Sequence, residues 1–215
     1  MAKRTGGKLL EYDRRLGVRF VAGADEAGRG PLAGPLVTAG VVFDYASLRD
    51  HRVRPLMLLN DSKQVDPETR EELYRAVLAC ATCVSVHVFP PGVIDRDGLH
   101  KSNLRGLREA LAGCGPADVC LVDGFKLGPL APPHRAVVDG DTKSAAIAAA
   151  SIVAKVTRDR YMHMADALYP AYGFSSHVGY ITPHHSAMVR RCGPSEIHRR
   201  SFAARCYGEL ELAAA

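Results

Sequence analysis

The sequence lacks the features that mark membrane-bound, secreted and disulfide-stabilised proteins. Its most apolar run, residues 145–154, is too short to cross a bilayer and is mostly alanine. Residues 1–7 contain no apolar core of a signal peptide, so we expect a cytoplasmic protein that does not associate with a membrane. Six cysteines in 215 residues are too few for a disulfide scaffold. Cys80 and Cys83 have metal-like spacing, but no second pair completes the four ligands that zinc needs.

The composition is that of an ordinary globular protein with a mild excess of positive charge. Hydrophobic residues make up 47% of the chain and charged residues 24%, which is typical of a packed soluble domain. The formal net charge is +5, so binding to nucleic acid is compatible with the charge but not required by it. The length fits one large domain, or one domain with an appendage.

Strands and helices alternate along the chain, and this alternation predicts an α/β fold. Residues 1–17 are polar and basic, and we expect them to be loosely packed. Asp66 followed by Pro67 and Glu68 has the pattern of a helix start. The hydrophobic patterns predict strands at 18–24, 36–43, 83–89, 119–122 and 136–138, and further helices at 100–111, 144–168 and 182–191.

One stretch, residues 23–35, joins the end of the first predicted strand to a glycine-rich turn. The strand ends in Asp25 and Glu26, and Arg29 follows between Gly28 and Gly30. Carboxylates can hold a metal ion, while backbone amides and a guanidinium can hold a phosphate. Together they indicate metal-assisted chemistry on a phosphodiester. A solvated strand end followed by an ordinary turn is the alternative interpretation of this stretch alone.

Two further predicted strands also end in carboxylates. Asp123 follows one of them, and either Asp139 or Asp141 follows the next. Neighbouring strands would bring these acids together, and a bound cation would relieve their mutual repulsion. Oxygen ligands suit Mg²⁺, and the absence of a cysteine or histidine ligand set disfavours zinc. Two such ions could activate a displacement at phosphorus.

The chain resembles ribonuclease HII over roughly residues 10 to 205, in a set of motifs that occur in the same order. The first is Gly-x-Asp-Glu-Ala-Gly-Arg-Gly-Pro-Leu-x-Gly-Pro at residues 23–35. The others are Asn-Asp-Ser-Lys at 60–63, Val-Asp-Gly at 122–124, Gly-Asp-x-Lys-Ser at 140–144, Ala-Ala-Ala-Ser-Ile-Val-Ala-Lys-Val-Thr-Arg-Asp at 148–159, Tyr-Gly-Phe at 172–174, His-x-Gly-Tyr at 177–180 and His-Arg-Arg-Ser-Phe at 198–202.

The resemblance implies a fold, an activity and a set of cofactors. The fold would be the ribonuclease H-like mixed β-sheet flanked by helices, with a C-terminal helical extension over the substrate. The activity would be cleavage of the RNA strand of RNA–DNA hybrids and nicking of duplex DNA 5′ to an embedded ribonucleotide. The products would carry 5′-phosphate and 3′-hydroxyl ends, and two Mg²⁺ or Mn²⁺ ions would be the cofactors.

The resemblance also assigns four catalytic, metal-binding acids, which are Asp25, Glu26, Asp123 and Asp141. It selects Asp141 over Asp139, although strand alternation would put both on one face. Asp25 would be shared by both metals. Adjacent strand residues point to opposite faces, so Glu26 would reach the same site only if the strand has already turned, or it would hold a water molecule.

Eight residues are predicted to bind the substrate. By resemblance, Tyr180 packs on the nucleotide at the RNA–DNA junction, and the glycine turn lies in the minor groove, where its amides could bind a 2′-hydroxyl. The remaining contacts would go to the phosphate backbone, or alternatively these residues belong to solvated surfaces. The full set is Gly28, Arg29, Gly30, Ser62, Lys63, Tyr180, His198 and Arg199. Val178 stands where the family usually has lysine, so one cationic contact is expected to be missing.

These observations predict three segments and a set of partners. The segments are an N-terminal extension (1–17), a ribonuclease H-like core (18–169) and a C-terminal substrate-binding extension (170–215), acting as one functional domain. The partners are RNA–DNA hybrids and duplex DNA that contains ribonucleotides, bound by a monomer. The sequence does not show whether a replication clamp or a polymerase recruits the protein.

Overall fold

The computed structural model describes residues 5–48 and 50–207, and for residues 50–52 it describes the backbone only. The described strands are β1 (Phe20–Ala27), β2 (Leu36–Asp44), β3 (Cys83–Phe89), β4 (Val119–Asp123) and β5 (Arg135–Val137). The described α-helices are α1 (Gly6–Arg14), α2 (Asp50–Leu56), α3 (Pro67–Cys80), α4 (Pro91–Asp97), α5 (Leu99–Gly113), α6 (Ala145–Leu168), α7 (Phe174–His177) and α8 (Pro183–Cys192).

The five strands form one mixed sheet in the order β3-β2-β1-β4-β5. β1 pairs with β2 in the antiparallel direction, and it pairs with β4 in the parallel direction. β4 in turn runs parallel to β5. The carboxyl ends of β1, β4 and β5 therefore lie at the same edge of the sheet, and this confirms the α/β fold that was predicted from the sequence.

The chain divides into two compact units. The first comprises Met1–Ala27, Val37–His87 and Asn103–Val156, and the second comprises Gly28–Leu36, Val88–Ser102 and Thr157–Ala215. The predicted three-segment division at residues 17 and 169 is a functional one, and it stays a prediction.

The core of the first unit lies between the sheet and the first half of α6. In that half of the helix, residues from Ala145 to Ala154 are buried all round, because alanine side chains allow the helix backbone to approach the sheet closely. A Cβ atom at Gly23 of β1 would overlap the backbone of Ala146 and Ile147. The predicted alanine-rich helix is thus confirmed, and its small residues explain how closely it packs.

The expectation of a loosely packed start was wrong. Residues 6–14 form α1, whose Leu9 and Leu10 are buried in the core of the first unit. Asp13 is also buried, where it accepts hydrogen bonds from the Ala146 amide (2.9 Å) and the Tyr45 hydroxyl (2.8 Å). A carboxylate at the N-terminus of a helix satisfies amides that have no partner within the helix. The polar sequence concealed this helix because only a short apolar stripe faces inward.

The second unit has its own apolar core. It is built from the second half of α6, from α7 and α8, and from the segment that follows β1. Leu32, Phe174 and Val189 are fully buried there. No helix in the described part of the chain is long and apolar enough to span a membrane.

Candidate active site

β1 carries the first two acids, Asp25 and Glu26, near its carboxyl end. The strand continues beyond them to Ala27, and both acids pair with β2, opposite Ala39 and Thr38. The strand has therefore not turned at Glu26, and its alternation directs the two side chains to opposite faces. Asp25 is buried, with 5% of its surface exposed, and one carboxylate oxygen accepts the Glu26 amide at 2.7 Å.

β4 places Asp123 next to Asp25. The last paired positions of the two parallel strands are Ala24 and Val122, and each acid follows by one residue. Residues at matching positions on parallel strands project to the same face of the sheet. Asp123 also accepts a hydrogen bond from the Gly140 amide at 2.7 Å, which attaches the end of β4 to the turn that carries the next acid.

Asp141 lies on a short 3₁₀ turn, Gly140–Thr142, and not on a strand. β5 ends at Val137, and Asp139 has a left-handed backbone with φ of 50°. The expectation that strand alternation puts Asp139 and Asp141 on one face was therefore wrong. A Cβ atom at Gly140 would overlap the Ile147 side chain and approach a carboxylate oxygen of Asp123, so glycine allows this close approach.

The pKa values of Asp25, Asp123 and Asp141 are all raised, first by burial and then by neighbouring negative charges. Burial, and then the charges of Glu26 and Asp123, raise the pKa of Asp25 well above its ordinary value. Burial, followed by the charge of Asp123, raises the pKa of Asp141 to about 6. Burial also raises the pKa of Asp123, although the Gly140 amide partly offsets it. We call Asp25, Asp123 and Asp141 the carboxylate cluster.

The carboxylate cluster fits a hard divalent cation by its chemistry. Its ligand atoms are carboxylate oxygens, and a cation would relieve both the repulsion and the cost of burying charge. In residues 5–48 and 50–207, no three histidine, cysteine or acidic side chains lie in an arrangement that could hold a metal ion.

Two residues of this site were missed in the sequence. The side chain of Ser151 donates a hydrogen bond that lowers the pKa of Asp25, and its hydroxyl lies 3.0 Å from that of Ser62. Asp61 lies close enough to raise the pKa values of Asp123 and Asp141. A signal was available for Ser151, which is the one polar side chain in the apolar run 145–154.

Ser62 and Lys63, which were predicted to contact phosphate, differ in their surroundings. Ser62 is buried, and its hydroxyl is paired with that of Ser151. Lys63 is exposed, and its charge lowers the pKa values of Asp123 and Asp141. Lys63 is therefore exposed near Asp123 and Asp141, and its phosphate contact stays a prediction, whereas Ser62 supports Asp25 through Ser151.

The second unit brings the glycine turn and Tyr180 together. Arg29 and Gly30 are exposed, and a Cβ atom at Gly30 would lie 3.6 Å from Cε1 of Tyr180. The Tyr180 side chain is 42% exposed. Gly28 has a φ of 97°, and a Cβ atom there would overlap Nε of Arg158 and the Pro35 carbonyl. The turn thus presents backbone and one aromatic ring to solvent.

Buried guanidinium groups hold the 28–35 loop, which follows β1. Arg199 donates from Nε to the Gly34 carbonyl (2.9 Å) and from Nη1 to the Arg29 carbonyl (3.3 Å). Arg158, which the sequence did not single out as a site residue, donates to the carbonyls of Pro35, Ala33 and Val178 at 2.9 to 3.1 Å. Both side chains are almost fully buried. The structure thus favours a role for Arg199 in holding the loop.

His198 is also buried, and both of its ring nitrogens already have partners within the second unit. Of the predicted substrate residues, Arg29, Gly30, Lys63 and Tyr180 are exposed, whereas Gly28, Ser62, His198 and Arg199 are buried. The buried members can act on a substrate only through the exposed residues that they hold in place.

Comparison with known proteins identifies the family. The family model described as Ribonuclease HII matches residues 22–205. Ribonuclease HII of Geobacillus thermodenitrificans is 42% identical over 206 residues, which cover 94% of this chain and 76% of that protein.

Two solved structures show the same fold. The ribonuclease H2 of Pyrococcus horikoshii OT3 has a TM-score of 0.75 and 26% identity, covering 90% of this chain and 98% of its own. The Bst-RNase HIII structure in complex with Mn²⁺ has a TM-score of 0.66 and 17% identity, covering 98% of this chain and 72% of its own, and at that identity it supports the fold alone. The family match spans the carboxylate cluster and the 28–35 loop alike, and the chain belongs to the ribonuclease HII family of endonucleases, which hydrolyse the RNA strand of RNA–DNA hybrids.

Proposed function

We propose that this endonuclease also nicks duplex DNA on the 5′ side of a single embedded ribonucleotide, leaving 5′-phosphate and 3′-hydroxyl ends. The observation that carries the proposal is the order in which β1 and the loop after it present their residues. The strand delivers Asp25 to the carboxylate cluster and then runs directly into the glycine turn that lies beside Tyr180. Chemistry on a phosphodiester and recognition of a sugar are thereby encoded in one continuous stretch of chain.

Asp25, Asp123 and Asp141 are the residues that would hold two divalent ions in this proposal, whereas Glu26, the fourth predicted ligand, lies on the opposite face of β1. Bound Mg²⁺ or Mn²⁺ supplies Lewis-acid activation of the phosphate and lowers the pKa of an attacking water. The raised pKa values of Asp25 and Asp141 support the assignment, because acids that repel one another gain most from a cation.

The residues of this chain have separate tasks around those ions. The Ser151 hydroxyl orients the Asp25 carboxylate through a hydrogen bond, and Ser62 supports Ser151 in turn. Lys63 adds a positive charge beside Asp123 and Asp141, where it can attract the scissile strand. Glu26, on the opposite face of β1 from Asp25, would act through the charge by which it raises the pKa of Asp25.

Selectivity for a ribonucleotide requires a group that reads the 2′-hydroxyl, because a metal site cannot distinguish one phosphodiester from another. The turn Gly28-Arg29-Gly30 offers backbone groups at its two exposed residues, Arg29 and Gly30, and Gly30 has no side chain to obstruct them. The half-exposed ring of Tyr180 lies beside Gly30, where it can pack on the sugar that the turn binds. The 2′-hydroxyl both donates and accepts hydrogen bonds, so backbone groups of both kinds can bind it.

The experiment that tests the proposal uses duplexes with zero, one and four consecutive ribonucleotides, in Mg²⁺ and in Mn²⁺. We expect nicking on the 5′ side of the single ribonucleotide, and no cleavage of the all-DNA duplex. The product ends are checked by ligation and by removal of the 5′-phosphate. Equal cleavage of the all-DNA duplex, or cleavage only within the four-ribonucleotide tract, would refute the proposal. Asp25→Asn protein, purified in parallel, controls for contaminating nucleases.

A cytoplasmic monomer is the form in which we propose that the enzyme acts, with RNA–DNA hybrids and ribonucleotide-containing DNA as its partners. The basic net charge supports binding to nucleic acid, and the six cysteines, none of which forms a disulfide, fit a reducing compartment. Light scattering on the purified protein, with and without hybrid, measures whether one chain binds one duplex.

A further inference from the structure

Three histidines are buried side by side in the second unit, and one of them contacts the backbone of Tyr180. His177, His185 and His198 are 9%, 0% and 2% exposed. The rings of His177 and His185 are stacked, with centroids 4.4 Å apart. Nε2 of His185 lies 3.0 Å from Nε2 of His198. Buried histidines in contact need a defined arrangement of protons, because two hydrogens cannot occupy the same hydrogen bond.

The partners of these rings allow only one arrangement of protons. Nδ1 of His185 lies 2.9 Å from the Tyr180 carbonyl, which only accepts, so Nδ1 carries the hydrogen and Nε2 is the acceptor. His198 must then donate from its Nε2 to His185. Its own Nδ1 is left as an acceptor, and the Ser195 amide donates to it at 2.9 Å.

The partners of His177 also fix which of its ring nitrogens carries the hydrogen. Its Nε2 donates to the Tyr172 carbonyl at 2.9 Å, and its Nδ1 accepts the Gly179 amide at 3.2 Å. Every ring nitrogen of the three histidines therefore has a partner. Burial lowers the pKa values of His185 and His198 to about 4, so these two rings are neutral. A second proton has no free position on either ring. On Nε2 of His185 it would meet the hydrogen donated by His198, and on Nδ1 of His198 it would meet the hydrogen of the Ser195 amide.

The network joins Tyr180 to the 28–35 loop. At one end, His185 holds the carbonyl of Tyr180 itself. At the other end, His198 pairs with Ala33 in an isolated antiparallel bridge, and the Arg199 amide next to it donates to the Leu32 carbonyl. A second connection runs through Gly179, whose carbonyl accepts the amides of Leu32 (2.9 Å) and Ala33 (3.3 Å).

We propose that His185 and His198 form a neutral hydrogen-bond relay that fixes Tyr180 relative to the glycine turn, and that they are positioning residues for ribonucleotide selectivity. This inference rests on the proposed role of Tyr180. Neither histidine needs to touch the substrate. Their contribution is the orientation of the Tyr180 backbone, and a misplacement of about 1 Å at a substrate-positioning residue can cost a hundredfold in rate.

The test compares two substitutions of His185 with a matched control. His185→Leu removes the donor to the Tyr180 carbonyl and keeps an apolar side chain, whereas His185→Asn keeps a donor at nearly the place of Nδ1. His184→Asn, at the exposed neighbouring position on α8, is the control. For nicking at a single ribonucleotide, we expect His185→Leu to lower kcat by about tenfold to a hundredfold with little change in KM. His185→Asn should recover most of that loss, and His184→Asn should match the wild type.

A second measurement tests the relay without any substrate. In ¹⁵N NMR of the wild-type protein, His185 should show a protonated Nδ1 and an unprotonated Nε2, and His198 the reverse. A different pair of tautomers would refute the relay. So would a His185→Leu protein that folds, as judged by thermal unfolding, and loses rate equally on the single-ribonucleotide and four-ribonucleotide duplexes.

The two proposals fail in distinguishable ways. If wild-type protein does not nick the single-ribonucleotide duplex, or if Tyr180→Ala nicks it normally, the proposed role of Tyr180 is wrong whatever the NMR result. If Tyr180→Ala loses selectivity and His185→Leu retains it, the role of Tyr180 stands and the relay is refuted.

Discussion

Asp25 and Asp123 occupy matching positions on two parallel strands, each one residue beyond the last paired residues, Ala24 and Val122. This register places two buried carboxylates side by side, and the charge of Asp123 contributes to the raised pKa of Asp25. The site therefore holds electrostatic strain in the absence of metal, and that strain is the basis of the first two predictions.

Asp25→Asn should abolish cleavage and leave the fold intact. The substitution removes a buried carboxylate whose pKa is raised well above its ordinary value, and with it a proposed metal ligand, while the amide preserves the shape of the side chain. We expect the free energy of unfolding of the metal-free protein to rise by roughly 1 to 3 kcal/mol, because like charges no longer meet in a buried site. Chemical denaturation in EDTA measures the stability. Near-normal activity at saturating Mg²⁺ would remove Asp25 from the site.

The stability of the metal-free protein should fall as the pH rises from about 4 to about 6. The pKa of Asp141 is about 6 in the folded protein and 3.8 in its ordinary state, so the folded protein binds the proton more tightly. Stability falls with rising pH wherever the folded state binds more protons. The loss of folding free energy that comes from ionising Asp141 is absent below pH 3.8 and complete above pH 6. Its size is of order 1 kcal/mol after solvent screening.

Denaturation in EDTA at a series of pH values measures this dependence, and the informative quantity is the difference between wild type and Asp141→Asn. That difference removes the contribution of other groups, such as Asp44, whose pKa the Arg19 guanidinium lowers to about 2. A difference that does not vary with pH would contradict the prediction.

On a single-ribonucleotide duplex, Tyr180→Ala should lower kcat by a larger factor than the factor by which it weakens binding of the duplex. Removal of the ring takes away the surface that we propose holds the sugar, and we expect a loss of about tenfold or more in kcat. Tyr180→Phe keeps the ring and should lose less if stacking dominates. Ile181→Ala, at a neighbouring position that is 56% exposed, is the matched control for a truncated surface side chain. Equal losses for Tyr180→Ala and Ile181→Ala would argue against the role of Tyr180.

Lys63→Gln should reduce the slope of log K for hybrid binding against log salt concentration by at most about one unit, because one phosphate contact would be lost. Arg199→Lys should act differently, since its guanidinium is buried and donates to the carbonyls of Gly34 and Arg29. We expect that variant to lower the free energy of unfolding by roughly 1 to 3 kcal/mol. Binding titrations at several salt concentrations and thermal unfolding separate the two effects. An unchanged slope in Lys63→Gln would assign Lys63 to the solvated surface.

Val178→Asn should stabilise the protein by about 1 kcal/mol. Val178 has a left-handed backbone with φ of 42°, a conformation that is costly for a β-branched residue and is tolerated by asparagine. Val88→Asn is the control, since Val88 is half exposed and does not have a positive φ. Val178→Lys, which introduces the residue expected here from the resemblance to ribonuclease HII, should instead increase hybrid affinity at low salt. A destabilised Val178→Asn protein would show that the packing of the valine side chain outweighs the backbone strain.

The sequence by itself determined the class of the fold and the acids of the carboxylate cluster. Apolar runs predicted strands that lead into Asp25 and Asp123, the alanine-rich run predicted a helix packed closely on a sheet, and the resemblance to ribonuclease HII selected Asp141 over Asp139. Asp66 was identified as a helix cap from local pattern alone, and its carboxylate accepts the Thr69 amide at 2.9 Å. Each of these features depends on neighbours within a few residues, which the sequence displays directly.

Only the tertiary structure decided which side chains are available to a ligand. Ser62 and Lys63 are adjacent in sequence, yet Ser62 is buried against Ser151 and Lys63 is exposed. Burial depends on contacts between residues that are far apart in the chain, and Ser62 and Ser151 are 89 positions apart. The histidine relay has the same origin, since His185 and His198 acquire their proton arrangement only when folding brings Tyr180 and Ser195 to opposite ends of the pair.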